Sequence, residues 1–316
     1  MPRPVVAVCE PVRPALVEAL GEVARVVYEP DAWPDLADVV AVAADADVLV
    51  TRTLTQVDER LLSQLERVGC VAVYGAGRDH LDREALTRRG IHLVRCSEEV
   101  AASIAEFTLG LALCLVRRIP DAMNAVRAGV WSRHPFVGED LAGKRALVVG
   151  CGPIGQRVAH LFASVGVGVT VARATATPLP AELSELGCSL ARMPDALTEA
   201  DLVTLHVSGG PQTVRLVGER ELAALPTGSY LINTSRGSVV DLDAVVAALE
   251  SGQLAGAALD VLPQEPPAEA PILHPRLWVT PHLALYSQEA IERRIASVVR
   301  QVGEWLATAR GARQAG

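Results

Sequence analysis

The sequence predicts an α/β protein built from two doubly wound parallel sheets, and three observations predict it. Short β-branched runs such as PVVAVCE, ADVLVTR and CVAVYGAG alternate with helix-length segments, as parallel βαβ units require. The alternation breaks at a long apolar stretch and restarts at KRALVVGCGPIG, where a glycine-rich turn joins a strand to a helix. Finally, 316 residues are many for one hydrophobic core, and 50% hydrophobic residues suffice to build two.

In order, PVVAVCE reads as a strand, residues 14–20 as a helix, ARVVYE as a strand, residues 36–43 as a helix and ADVLVTR as a strand. Residues 58–67 form a helix, CVAVYGAG a strand, residues 82–89 a helix and IHLVRC a strand. Residues 100–117 then make one long apolar helix carrying Glu106, whose length suggests a shared wall or a subunit contact. VWSRHPFVGEDLAG is a polar, glycine-containing link into the second alternation, which runs through ADLVTLHV, SYLINTS, GAALDVL and LWVTPH. After a crossing at 284–287, a helix over 288–307 is expected to return to the first domain. The expected domains are therefore 1–99 with 285–316, and 100–284.

Charge and cysteines exclude several functions. A net charge of -8 and no basic run argue against nucleic-acid or membrane-surface partners. Lys144 is the only lysine and carries no mechanistic reading. Cys9, Cys70, Cys96, Cys114, Cys151 and Cys188 show neither C-x-x-C pairs nor zinc spacing, so no metal is expected and reduced, cytoplasmic thiols are the plain reading. The N-terminal apolar run is too short for a signal peptide, and segments such as VTVARATATP are far shorter than a membrane span.

Gly150-Cys151-Gly152-Pro153-Ile154-Gly155 is a G-x-G-x-x-G placed between the strand ALVVG and the helix QRVAHLFASVG. Glycines there let backbone N–H groups approach a pyrophosphate at the positive end of the helix dipole. The second domain is thus Rossmann-like and dinucleotide-binding. At the end of its next strand stands Arg173, followed by Thr175, where a ribose-binding carboxylate usually sits. An arginine there pairs with a 2′-phosphate, favouring NADP(H) over NAD(H); a solvated Arg173 in an enzyme that takes both is the alternative.

LINTSRGSVVDLDAVVAAL poses a sharper question, because an apolar strand ends in Asn-Thr-Ser and then places Arg236 beside a glycine. In an open α/β sheet that is where ligands bind. This stretch, its continuation ESGQLAGAALDVLPQEP, VTPHLA, GAGRDHLD, SIAEFTLGLAL and the glycine loop together resemble the D-isomer-specific 2-hydroxyacid dehydrogenase family over nearly the whole chain. The likeness includes glyoxylate/hydroxypyruvate reductases and D-3-phosphoglycerate dehydrogenases, and it implies a flavodoxin-like first domain that binds substrate. It places the family's arginine on Arg236, its acid on Glu265 and its histidine on His282. Asp260 resembles the residue that contacts the nicotinamide amide, a buried loop-capping aspartate being the other reading. Ala174, His206, Val207, Thr213, Thr234, Ser235 and Ala284 fall where the family borders its cofactor.

The chemistry fits these roles. Reducing a 2-oxo acid needs a hydride, a proton for the carbonyl oxygen and a cation for the carboxylate. An unperturbed imidazole changes charge near neutrality, which makes His282 the natural acid; Glu265 would hold its other nitrogen, and Arg236 offers a planar fork. Each also has an ordinary reading: a strand-end histidine, one acid in the loop PQEPPAEAP, and a solvated turn arginine. Glycines around Ala76 permit a turn whose Ala76 and Gly77 N–H groups could bind a carboxylate, or a purely structural turn. Asp79-His80 is reminiscent of the formate dehydrogenase branch, which carries glutamine where this chain has Glu265.

Two departures limit the substrate. The family's Asn-Thr-Pro-Gly hinge is here Arg95-Cys96-Ser97-Glu98, and its His-x-Pro is His206-Val207-Ser208, so the loop SGGPQT is expected to be more flexible than usual. Arg52, Arg78 and Arg95 stand near substrate-side strand ends, either to read a second anionic group or as solvated surface residues. The expectation is NAD(P)H-dependent reduction of a small 2-oxo acid to the D-2-hydroxy acid, by a homodimer with its site between domains. A nicotinamide-responsive, corepressor-like binding module on the same scaffold is the alternative.

Overall fold

In the computed structural model the described residues are 2–175, 177–268 and 274–315, with 310–315 described by their backbone. Positions 269–271 of the loop PQEPPAEAP lie outside them. The chain divides into two compact units, Met1–Val100 with Ser287–Gly316, and Ala101–Tyr286.

The first unit alternates β1 (Val5–Val8), α1 (Pro14–Val23), β2 (Arg25–Tyr28), α2 (Leu36–Ala43), β3 (Val48–Thr51), α3 (Glu59–Leu62), β4 (Cys70–Val73), α4 (Arg83–Arg88) and β5 (His92–Val94). Its five parallel strands run in the order β2-β1-β3-β4-β5, the flavodoxin-like order. The central strands are buried on both faces, which is why they read as unbroken Val/Leu/Ala runs. Aspartates start the helices: Asp35, Asp58 and Asp82 each accept hydrogen bonds from first-turn N–H groups of α2, α3 and α4. Two loops at the carboxyl end of the sheet are joined by Glu10. Its buried carboxylate accepts the N–H groups of Thr53, Leu54 and Thr55 at 3.2, 3.1 and 2.8 Å.

The long α5 (Ser97–Arg117) leads into the second unit, which holds α6 (Ile119–Arg127), β6 (Arg145–Val149), α7 (Pro153–Ser164), β7 (Gly168–Ala172), α8 (Ala181–Glu185) and β8 (Ser189–Ala191). There follow α9 (Met193–Leu197), β9 (Leu202–Leu205), α10 (Glu219–Ala223), β10 (Ser229–Asn233), α11 (Leu242–Ser251), β11 (Leu254–Leu259) and β12 (Leu277–Val279). The seven parallel strands run β12-β11-β10-β9-β6-β7-β8, so the winding reverses between β6 and β9, where open α/β sheets take their ligands. The closing helix α12 (Gln288–Ala315) belongs to the first unit, where Val298, Val302 and Leu306 share a core with Leu16 and Leu20 of α1.

Several boundaries differ from the sequence reading. Helix α5 starts at Ser97 and not near 100, because Glu98 and Glu99 suit the positive end of a helix, so only Arg95 and Cys96 remain as link. α3 is a single turn, α12 runs beyond 307, and α6, β8 and a 3-10 turn at His134–Phe136 went unread. Against the expectation that no segment reaches membrane-span length, α5 does so by length and composition. Half of its apolar window is buried, with Ala105, Ala112, Leu115 and Val116 packed against Ala146, Val148 and Phe162.

Candidate active site

At the switch point, Gly150 follows β6 with φ 106, and Gly152 stands just before Pro153 opens α7. A Cβ on Gly150 would fall 2.4 Å from the His206 carbonyl oxygen, and one on Gly155 2.1 Å from the Gly150 oxygen. No side chain fits at either place, so backbone N–H groups and the start of a three-turn helix are left facing outward. Ile154 turns inward against the sheet core. That cradle suits a pyrophosphate, and the residues present therefore fit a dinucleotide.

His206 and Val207 follow β9 directly. His206 Nε2 lies 2.9 Å from the Thr204 hydroxyl, and Nδ1 3.5 Å from that of Thr234, which in turn is 3.3 Å from Thr108 on α5. Burial pushes the His206 imidazole down to about 3, so the ring is neutral at ordinary pH. In the next loop Thr213 Oγ1 donates to the Ser208 and Gly210 carbonyls. After β7, Arg173 Nε donates to Thr175 Oγ1 at 3.1 Å, with Ala174 and Thr175 exposed beside it.

The three residues expected to do the chemistry all lie in the second unit. Asn233 ends β10 and folds the chain back on itself. Its Oδ1 accepts the N–H of Ser235 at 2.9 Å and its hydroxyl at 2.7 Å, while Nδ2 donates to the Arg236 carbonyl at 2.8 Å. A Cβ on Gly237 would meet the Leu262 carbonyl carbon at 1.9 Å, so only glycine lets this turn press on the loop after β11. That loop carries Glu265, whose Oε1 accepts the Leu262 N–H at 2.9 Å and whose Oε2 lies 2.7 Å from His282 Nδ1. Burial pushes the Glu265 carboxyl up, but the hydrogen bond and charge of His282, the Leu262 N–H and the Arg236 charge outweigh it, leaving it below the ordinary carboxylate value. Arg236, half-buried, thus lies within electrostatic reach of the pair, and one guanidinium nitrogen donates to the Ser235 carbonyl at 2.7 Å.

His282 itself has φ 56, a left-handed backbone rare for a residue with a Cβ. With Nδ1 on Glu265, Nε2 is left for a substrate, and no hydrogen bond among the described residues engages it. Asp260, the first residue after β11, is 1% exposed, and its carboxylate accepts the Thr280 hydroxyl and the N–H groups of Leu283 and Ala284. It caps the loop that carries His282, one of the two readings that the sequence left open.

The expected substrate-side residues lie in the first unit. Ala76 and Gly77 follow β4, half-buried, in a loop that Cys96 N–H anchors through the Gly75 carbonyl at 3.4 Å. Arg78 stands beside them. Its guanidinium pKa is lowered by burial first and then by the charges of Arg95 and Arg83, partly offset by Asp79. Arg52, after β3, donates to the Pro11 carbonyl at 3.1 Å. Asn233 and Thr280 were missed by sequence reasoning, although an asparagine ending a fully apolar strand was a usable signal. No group of His, Cys, Asp and Glu among the described residues could hold a metal ion.

Residues 109–284 match a family model described as D-isomer specific 2-hydroxyacid dehydrogenase, NAD binding domain. Over 303 residues the chain is 34% identical to the D-3-phosphoglycerate dehydrogenase of Mycobacterium tuberculosis, covering 96% of this chain and 57% of that one. The chain belongs to the D-isomer specific 2-hydroxyacid dehydrogenase family. It spans little more than half the length of these phosphoglycerate dehydrogenases. Among solved structures, the chain superposes at TM-score 0.85 and 29% identity on an NADPH-dependent glyoxylate/hydroxypyruvate reductase from Sinorhizobium meliloti in complex with NADP and malonate, covering 97% and 94% of the two chains. It also superposes at TM-score 0.84 and 25% identity on the D-lactate dehydrogenase of Aquifex aeolicus complexed with NAD and lactic acid, covering 96% of each. Both dinucleotides thus occur among its structural neighbours.

Proposed function

We propose that this protein reduces a small 2-oxo acid to the D-2-hydroxy acid, reversibly, with Arg236, Glu265 and His282 as its working residues. One observation carries the reading: the 2.7 Å Glu265–His282 pair lies within the field of Arg236. A nicotinamide dinucleotide, when bound, supplies the hydride. Arg236 receives the substrate carboxylate on its planar fork and draws electron density from the carbonyl. His282 gives the proton on Nε2 to the carbonyl oxygen as carbon accepts the hydride, and Glu265 stabilises the imidazolium until that proton leaves. The imidazole is then neutral and regains a proton from water. Run backwards, the same residues oxidise the hydroxy acid, with His282 as base.

The finer assignments belong to the same proposal. The glycine loop, with Pro153 and Ile154 inside it, holds the pyrophosphate, and Thr234, Ser235, His206, Val207, Thr213 and Ala284 border the nicotinamide half. Arg173 with Thr175 favours the 2′-phosphate, hence NADP(H) over NAD(H). Ala76 and Gly77 offer N–H groups to the substrate carboxylate. Arg78, held in the field of Arg95, and Arg52, which donates to the Pro11 carbonyl, read a second anionic group. Trp131 and Val137, 85% and 77% exposed, with Met123 and Val126 on α6, support a homodimer formed through this arm. Six free cysteines support a reducing, cytoplasmic location, and the net charge supports the absence of nucleic-acid or membrane partners.

The test is nicotinamide absorbance loss with a panel of oxo acids, run with NADH and with NADPH. Turnover with a preference for NADPH supports the proposal, and Arg173→Ser should erase that preference. Dinucleotide binding without turnover of any oxo acid would reject it in favour of a binding module.

A further inference from the structure

A histidine in a left-handed backbone conformation needs something to hold it there, because its Cβ crowds the following carbonyl oxygen in that region. The structure assigns that task to Asp260. Asp260 is a positioning residue whose main chain and side chain together clamp residues 280–284 so that His282 presents Nε2 while Nδ1 meets Glu265.

Every acceptor contact of Asp260 serves this loop. Its carbonyl oxygen accepts the His282 N–H at 2.8 Å, a hydrogen shared with the Thr280 carbonyl at 3.0 Å. Oδ1 accepts the Thr280 hydroxyl at 2.5 Å and the Leu283 N–H at 2.7 Å, and Oδ2 accepts the Ala284 N–H at 2.9 Å. The contacts flank His282 on both sides in sequence, so its φ of 56 cannot relax without breaking at least one. Asp260 N–H in turn donates to the Asn233 carbonyl at 2.9 Å, and the Asn233 side chain fixes Ser235 and Arg236. The two loops bearing the cation and the imidazole are therefore fastened to neighbouring strand ends by one aspartate and one asparagine, both buried. Three of the roughly four acceptor positions of the carboxylate are occupied in this way, which leaves at most one for a nicotinamide amide.

The inference rests on the proposed role of His282 as the acid, and the experiment separates the two. In Asp260→Asn the amide keeps the size but loses an acceptor, leaving one of the three donors unmet. In Thr280→Val the hydroxyl alone is lost, and Thr280→Ser restores it. Two readouts are taken on each folded variant: the imidazole nitrogen shifts of His282 in histidine-labelled protein without dinucleotide, and kcat with dinucleotide affinity measured separately by fluorescence.

The account predicts shifted His282 resonances in Asp260→Asn and Thr280→Val, recovery in Thr280→Ser, and kcat lower by about 100-fold and about tenfold. Dinucleotide affinity should stay within about threefold of wild type. Unshifted resonances in both variants, or a weakened dinucleotide affinity with undiminished kcat at saturation, would overturn it. If Asp260→Asn does not fold, the Thr280 pair decides by the same criteria. A loss of all activity in the wild-type protein would reject the proposed reaction, yet the resonance shifts would still decide whether Asp260 holds His282.

Discussion

Glu265 Oε2 and His282 Nδ1 stand 2.7 Å apart although 17 residues separate them, and each is about one-third exposed. The pair is open enough for solvent to exchange protons with it, yet close enough that the carboxylate fixes which imidazole nitrogen faces a substrate. Replacing Glu265 by Gln keeps the hydrogen bond and removes the charge. The imidazolium then loses its stabilising neighbour, so kcat for reduction should fall by about 10- to 100-fold. Steady-state kinetics of the variant with saturating dinucleotide checks it.

The same pair has a stability consequence with a definite sign. Glu265 is held below the ordinary carboxylate value of 4.5, so the folded state binds its proton less readily than the unfolded chain. Its contribution is therefore present above about 4.5 and is lost as pH falls through the lower folded value. Urea melts of wild type and Glu265→Gln should differ at pH 7 and converge in acid.

His206 gives the stronger pH effect. Burial lowers its imidazole to about 3 from an ordinary 6.5, so below 6.5 the unfolded chain takes up a proton that the folded protein refuses. Stability from this residue is complete above 6.5 and declines steadily down to about 3. His206→Asn should flatten that slope between pH 6.5 and 4, as read by denaturant midpoints.

Arg236→Lys retains a charge but not the planar two-nitrogen fork. The account expects the KM for the oxo acid to rise by an amount equivalent to about 2–4 kcal/mol, with dinucleotide affinity nearly unchanged. Steady-state kinetics with each substrate varied in turn measures the split.

Glycine replacements test the close backbone approaches. A methyl group on Gly155 or Gly237 would meet backbone atoms at 2.1 or 1.9 Å, distances that no rotamer change can relieve. Each alanine variant should lose at least about 1–3 kcal/mol of stability. Gly155→Ala should weaken dinucleotide binding, and Gly237→Ala should impair turnover through the Arg236 and Glu265 loops. Calorimetric melting and dinucleotide titration distinguish them.

Much of this was legible in the sequence for a physical reason. Strands buried on both faces must be short apolar runs, so PVVAVCE and ALVVG announce β1 and β6 without help from any neighbour. The glycine loop is equally readable, since its residues are dictated by backbone approach. What stayed hidden depends on partners distant in sequence. Nothing local to His282 announces a left-handed backbone, because its φ is set by Asp260, 22 residues earlier, and nothing in TPHLA shows that Leu283 and Ala284 N–H groups point at one carboxylate. The β8 strand escaped notice because Ser189–Ala191 is short and mostly exposed on a sheet edge, with no apolar pattern to mark it.

The most direct test of the central claim is the single-turnover rate of oxo-acid reduction by wild type and by His282→Gln, both saturated with reduced dinucleotide. The account predicts rapid formation of the D-hydroxy acid by the wild type and a loss of about 1,000-fold or more in the variant, with dinucleotide affinity preserved. A His282→Gln protein that reduces the oxo acid at near wild-type speed would contradict it.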